Sequence, residues 1–154
     1  GYGIKSFLMT PQSRGEIKLR SADFQERPAI FYNSLSAPAD IEAMRSGFKK
    51  AWAIGNSPYL AALRSSPPFA EPRSDDEIDA LIRDNSEQQF HPACTCAIGV
   101  EGRSVVDEKL DVRGLRQLSI MDASVMPEHI SGHPNVVIIA MAAKAADMWA
   151  RGAK

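Results

Sequence analysis

Residues Gln117–Trp149, QLSIMDASVMPEHISGHPNVVIIAMAAKAADMW, decide how the rest of the chain is read. Leu118-Ser119-Ile120-Met121 has the pattern of a short buried strand, and Asp122-Ala123-Ser124 that of a turn. Ser131-Gly132-His133-Pro134-Asn135 then leads into a helix that is apolar almost all round. Such a helix is too apolar for the surface of a small protein. Its N-terminus carries polar, shape-constrained residues, so the pattern predicts a buried helix whose positive end faces a ligand. Pro134 suits the first helical position, where a missing N–H costs nothing. Asn135 and Val136 offer backbone N–H groups with no partner inside the helix.

The chain has three histidines. His91 and His133 each precede a proline, which biases them to extended backbone and argues against a helix interior. His133 is therefore expected at the cap of the last helix, its ring off the end. Two imidazoles presented in this way can share a proton-transfer task. His129 lies between them in a polar loop. Asp122, at the end of its strand, can accept from a hydroxyl or cap the following turn.

Working outward, 154 residues with 44% hydrophobic and 24% charged content fit a globular domain or pieces of two. A net charge of −1 gives no electrostatic case for nucleic acid or an anionic membrane. The longest apolar run, Val136–Ala143, falls short of the ~20 residues of a membrane span. Cys94 and Cys96 stand one residue apart, a spacing that rarely forms a bridge, and no His pair lies near at ligand spacing. Reduced thiols in a packed strand are expected, with no metal and a reducing, cytoplasmic setting. The chain opens Gly1-Tyr2-Gly3 without a Met or an apolar leader and reads as a piece that begins mid-protein.

The first third reads as sheet: strands over Ile4–Thr10, Glu16–Arg20 and Ala29–Tyr32, separated by turns at Pro11–Gly15 and Ser21–Asp23. A helix follows from Pro38 to about Gly55, with Ile41, Met44, Phe48 and Trp52 on one face. A short helix over Tyr59–Arg64 and a breaker at Ser65–Pro68 come next. Ser74-Asp75-Asp76-Glu77 has the form of a capping box opening a helix through Ile78, Leu81 and Ile82. Gln88–Ile98 looks strand-like, and a soft domain border falls near Gly99–Lys109.

Beyond these local readings, FHPACTCAIG (90–99), VVDEKLDVRGLRQLSIMDASVMP (105–127) and SGHPNVVIIAMAAKAADMW (131–149) resemble the C-terminal part of the glucose–methanol–choline (GMC) oxidoreductase family. MTPQSRGEIKLRSAD (9–23), PAIFYNSLSAPAD (28–40) and SDDEIDALIRD (74–84) are similar to that family in the same order, so the resemblance runs from about Met9 to Ala150. It implies FAD-dependent oxidation of an alcohol to a carbonyl, by an alcohol oxidase or dehydrogenase. His91 takes the place of the catalytic base over the flavin and His133 that of the second active-site residue. Asp122, with Ala123 beside it, takes the place of the residue touching the cofactor. Pro134, Asn135 and Val136 bring the helix start to the pyrimidine end of the flavin.

The implied fold is α+β. Residues 1–99 would be part of a substrate-binding domain, an antiparallel sheet with covering helices. Residues 100–154 would supply the C-terminal strand and helix of a Rossmann-like FAD-binding domain. No GxGxxG follows a strand, so the element for the ADP half of FAD is expected in an N-terminal partner portion, in the same protein or a separate chain. Cys94 stands where the family frequently has Gly, and Ala97-Ile98-Gly99 replaces a more usual basic-Met-Gly. Two alternatives stay open: a non-redox, lyase-type member that keeps FAD, and a non-catalytic subunit needing its partner to bind it.

Overall fold

In the computed structural model, which describes residues 1–64 and 70–152, Pro38 opens helix α1 (Pro38–Gly55) and Ser74 caps helix α2 (Asp75–Asn85). The Ser74 hydroxyl accepts from Glu77 N at 3.2 Å. Glu77 reaches back one residue further than a capping box requires and accepts from Arg73 N at 2.6 Å. Ile41 on α1 packs against Ile78 and Ile82 on α2, with Leu35, Met44 and Phe48 around them. Arg45 closes the edge of this contact with a two-pronged bond to Asp79, at 2.7 and 2.6 Å. A 3₁₀ turn over Pro58–Leu63 stands where a short helix was expected, and the Ser65–Pro68 breaker lies outside the described residues.

Strands β1 (Glu16–Lys18) and β2 (Ala29–Phe31) form a two-stranded antiparallel sheet, with Ile17 opposite Ile30. Gly15 is obligatory at its start: a Cβ there would lie 2.2 Å from Phe31 O and 2.9 Å from Tyr32 O. Helices were expected to cover this sheet. Instead Ile17, Ile30 and Phe31 stay exposed, because α1 and α2 spend their apolar faces on each other.

The strand expected over Ile4–Thr10 does not form. That segment runs along α1 rather than beside another strand. Tyr2 OH donates to Gly55 O, Ser6 lies against Gly47, and Gln12 and Ser13 bond to Asp40 at the first turn. A Cβ on Gly47 would sit 2.1 Å from Ser6 Oγ, so the glycine admits the strap. The segment is extended without a strand partner, which alternation of side chains alone does not distinguish.

The chain divides into two compact units, Gly1–Glu87 and Gln88–Lys154. The soft border read near Gly99–Lys109 thus falls inside the second unit. The reason is local: Cys94 N, Cys96 N and Ile98 N donate in turn to the carbonyls of Ala123, Ser124 and Val125, at 3.2, 2.8 and 2.9 Å. These bonds fasten residues 94–98 to the later part of the chain. Neither Gln88–Ile98 nor Leu118–Met121 becomes a strand. Among the described residues, pairing in this unit is limited to isolated bridges, Ile98 with Val106, Val106 with Val112, and Asp111 with Ser119.

The second unit closes on Val106 and Val125, both 0% exposed, with Leu110 and Ala145. Fully burying a valine side chain contributes about 1.5–3 kcal/mol, so this pair anchors the unit. Helix α3 (Asn135–Ala150) brings Met141, Ala145 and Trp149 to that core at four-residue steps. Its remaining apolar side is uncovered within this unit, Val136 being 76% exposed and Ile139 60%. The helix is therefore buried on one stripe, not all round. No helix among the described residues is long and apolar enough to cross a membrane.

Candidate functional site

His91 sits in a turn bracketed by two left-handed residues, Phe90 at φ +60° and Cys94 at φ +72°. Neither is glycine, and each such residue costs about 1–3 kcal/mol unless its surroundings hold it. Pro92 restricts His91 itself to extended backbone. On the C-terminal side the turn is held by the bond from Cys94 N to Ala123 O. The acceptor belongs to a 3₁₀ turn, Ala123–Val125, whose cap is Asp122: its Oδ1 accepts from Ser124 N at 2.7 Å. Asp122 is thus a turn cap on the surface, one of the two local roles open to it.

The same connection carries the chain from Asp122 through Pro127 to the start of α3. Pro134 is the cap of α3, one place later than expected for His133, and its carbonyl accepts from Ile138 N at 2.9 Å. No side chain caps this end. Asn135 and Val136 lie exposed in the first turn, where α-helical geometry leaves N–H groups without intrahelical acceptors. His133, just outside the helix, turns its ring back onto His91.

The two rings meet. His91 Nε2 lies 2.8 Å from His133 Nδ1, with centroids 4.9 Å apart and planes at 69°. At that distance one nitrogen donates to the other, so a substrate hydroxyl meets a donor and an acceptor here by taking the place of their mutual bond. His91 is partly buried and His133 exposed, which leaves the pair open on one side. Such a pair can take a proton from a hydroxyl while steadying its oxygen.

His129 joins them, and sequence reading did not select it. Its Nε2 lies 3.1 Å from His91 O and its Nδ1 2.9 Å from Ile130 O. The one signal for it in the sequence was its position four residues before His133. Among the described residues Cys94 and Cys96 form no disulfide, and no group of His, Cys, Asp and Glu is arranged to hold a metal ion. Of the residues singled out, the structure pairs His91 with His133 and ties Ala123 to the His91 turn. Asp122 caps its own turn, and Pro134, Asn135 and Val136 form the start of α3.

Comparison with known proteins now adds a family. The chain is 41% identical over 153 residues to an alcohol dehydrogenase [acceptor] from Pseudomonas putida, covering 98% of this chain and 28% of that protein. It is 38% identical over 141 residues to an oxygen-dependent choline dehydrogenase from Ectopseudomonas mendocina, covering 90% of this chain and 25% of the relative. Among solved structures, an FAD-dependent oxidoreductase from Chaetomium thermophilum matches with a TM-score of 0.85 at 30% identity, over 94% of this chain and 26% of that one. The chain therefore spans between a quarter and a third of the length of these relatives. Residues 11–142 match the family model described as GMC oxidoreductase, and with most of its length so matched the chain belongs to the GMC oxidoreductase family.

Proposed function

We propose that the protein carrying this chain oxidises an alcohol to a carbonyl with FAD, and that this chain supplies the base. The observation that carries the reading is the 2.8 Å contact between His91 Nε2 and His133 Nδ1. It brings an accepting and a donating ring nitrogen to one point on an open side of the second unit, where an alcohol oxygen inserted in place of their mutual bond would meet both. FAD, when bound, supplies the acceptor for the hydride that leaves the carbinol carbon.

The residues present suit that cofactor. The start of α3 has no side-chain cap and offers the Asn135 and Val136 N–H groups together with the positive end of the helix dipole. This is a fitting donor set for the electron-rich pyrimidine edge of a flavin, with Pro134 fixing the first turn. Asp122 and Ala123 are assigned to the cofactor, Asp122 through the turn it caps. His91 accepts the hydroxyl proton, and His133 donates to the alcohol oxygen and keeps it oriented. A base so positioned contributes about 10²–10⁴-fold.

In this reading residues 1–99 belong to the substrate side and residues 100–154 complete the FAD-binding domain. The remainder of that domain comes from an N-terminal portion, in the same protein or a partner chain. The exposed side of α3 at Val136 and Ile139 is then covered by that portion. The setting in this reading is the cytoplasm.

The test is anaerobic mixing of the FAD-loaded protein with alcohols, following loss of the oxidised flavin absorbance. His91→Ala should slow that bleaching by roughly 10²–10⁴-fold with FAD still bound. Unaltered bleaching in the variant would remove His91 from the role of base. A wild-type flavin that no alcohol bleaches would turn the reading toward a non-redox member, and failure to bind FAD with the N-terminal portion present toward a non-catalytic subunit.

A further inference from the structure

The His91 side chain can act only as well as its backbone is placed, and that backbone is bracketed by strained residues. Phe90 and Cys94, at φ +60° and +72°, stand on either side of it. Non-glycine residues stay in this region when neighbouring contacts over-determine them. The Cys94 side is fixed through Ala123 O. On the other side the His91 peptide carbonyl itself meets the ring of His129, whose Nε2 lies 3.1 Å away. The opposite nitrogen, Nδ1, faces Ile130 O at 2.9 Å.

Both partners of His129 are carbonyl oxygens, which only accept. The ring can therefore meet them only as a donor. A neutral ring protonated on Nε2 donates to His91 O, one protonated on Nδ1 donates to Ile130 O, and an imidazolium donates to both. A neutral ring sets its bare nitrogen against the carbonyl it does not serve, so it holds one of the two at a time, and only the imidazolium serves both. Its place is that of a clamp on the peptide of His91 rather than a second base, and it does not contact the His91 or His133 ring nitrogens. It is only partly buried, so hydrophobic packing alone does not account for it.

We infer that His129 is a positioning residue: by donating from Nε2 to His91 O it holds the strained turn so that His91 Nε2 meets His133 Nδ1. The inference rests on the alcohol-oxidation reading for its kinetic consequence but not for its structural one. A displacement of about 1 Å in a reacting group costs up to ~10²-fold in rate. The clamp should therefore appear in turnover and not in substrate or cofactor affinity.

The experiment compares His129→Gln, His129→Leu, His129→Asn and His91→Ala in the FAD-loaded protein. Glutamine carries an N–H as many bonds from Cα as imidazole Nε2. Asparagine ends one bond short, and leucine fills space with no donor. His129→Gln should keep kcat within about threefold, while His129→Leu and His129→Asn lose about 10- to 100-fold, with KM and bound FAD within about threefold. A second readout is independent of turnover. The ¹⁵N spectra of the His91 and His133 rings should show their mutual hydrogen bond in wild type and His129→Gln, and its loss in His129→Leu.

Full activity in His129→Leu, with His91→Ala inactive, overturns the inference and leaves the base assignment standing. Equal losses in His129→Gln and His129→Leu overturn it too, since a role in packing has no use for the donor. If His129→Leu fails to retain FAD, the glutamine and asparagine variants decide: a difference between them supports the clamp, and equality overturns it. Should His91→Ala bleach at the wild-type rate, the alcohol-oxidation reading falls instead, and the ring spectra alone decide His129.

Discussion

Replacing Asp40 by asparagine should release the N-terminal strap from the start of α1. Asp40 is 2% exposed, and its carboxylate collects three donors. Gln12 N bonds to Oδ1 and Ser13 N to Oδ2, each at 2.8 Å, and the Ser13 hydroxyl bonds to Oδ2 as well. That hydroxyl in turn accepts from Ala37 N at 3.0 Å, covering the uncapped start of the helix. Asparagine keeps one acceptor oxygen and sets an NH₂ against the donors that faced the other. A hydrogen bond to a charged group is worth about 1.5–3 kcal/mol, so losing one should weaken the tie by roughly that amount. Read as local opening, this is about 10- to 150-fold faster exchange of the Gln12 and Ser13 amides with deuterium under native conditions. Asp40→Ala, which leaves all three donors without the carboxylate, should lie at or beyond the upper end. Exchange at both amides within threefold of wild type in Asp40→Asn would refute the account.

The same carboxylate sets an acid limit. Burial alone would push the Asp40 carboxyl up, but the bonds from Gln12 and Ser13, with Arg14 nearby, outweigh it and hold the group below the usual 3.8. A carboxyl depressed on folding stabilises the fold at pH above its unfolded value. The contribution fades as pH falls through the lower folded value. Protection of the Gln12 and Ser13 amides, corrected for intrinsic exchange, should thus be flat above about pH 5 and fall only below the ordinary carboxylate range. A midpoint above that range would have the sign wrong. Asp79 acts in the same direction, held down by its bond to Arg45, so acid should also loosen α1 from α2.

Two glycine exchanges, one adding a Cβ and one removing it, test the backbone. Gly15→Ala should disrupt the β1–β2 hairpin, since its Cβ would meet the Phe31 and Tyr32 carbonyls, both backbone atoms that cannot swing away; we expect a loss of about 1–3 kcal/mol, read as faster exchange of the hairpin amides. Cys94→Gly should be neutral to stabilising by up to ~1 kcal/mol, relief of a left-handed residue outweighing the added freedom of the unfolded chain. Cys96→Gly, whose position is not left-handed, should cost about 0.5–1 kcal/mol, so thermal midpoints moving the same way in both variants would contradict the argument.

Helices were legible because their signals are local. Pro38, Ser74 and Pro134 each mark a start within one residue of the observed one, and the 41/44/48 and 78/82 spacings became the α1–α2 contact. Strands were less so. Ile4–Thr10, Gln88–Ile98 and Leu118–Met121 have alternation or apolar character, but a strand exists only through its neighbours. In this chain those neighbours are a helix, a 3₁₀ turn and a single bridge. The covering of the sheet failed for the same reason, because which surface an apolar helix face meets is a long-range choice. His91 and His133 could be paired in advance from their shared His-Pro setting, whereas His129 acts on a backbone carbonyl, a contact with no side-chain pattern to reveal it.

The departure at Cys94 joins these two levels. The family resemblance puts glycine there, and the sequence by itself offered only a bulkier side chain near a cofactor. The backbone supplies the physical reason for the glycine: with φ at +72° the position favours a residue without Cβ. A cysteine in that place is held in the turn by the Cys94 N to Ala123 O bond and its continuation at Cys96 and Ile98, which fasten the segment against the Ala123–Val125 turn. The cap on that turn, Asp122, is consequently part of what places His91, whatever it does for a cofactor. The turn capped by Asp122 and the segment carrying the proposed base are one mechanical unit, in which the 122–125 turn and the ring of His129 hold a segment bracketed by the left-handed Phe90 and Cys94, and the imidazole it carries is delivered to His133.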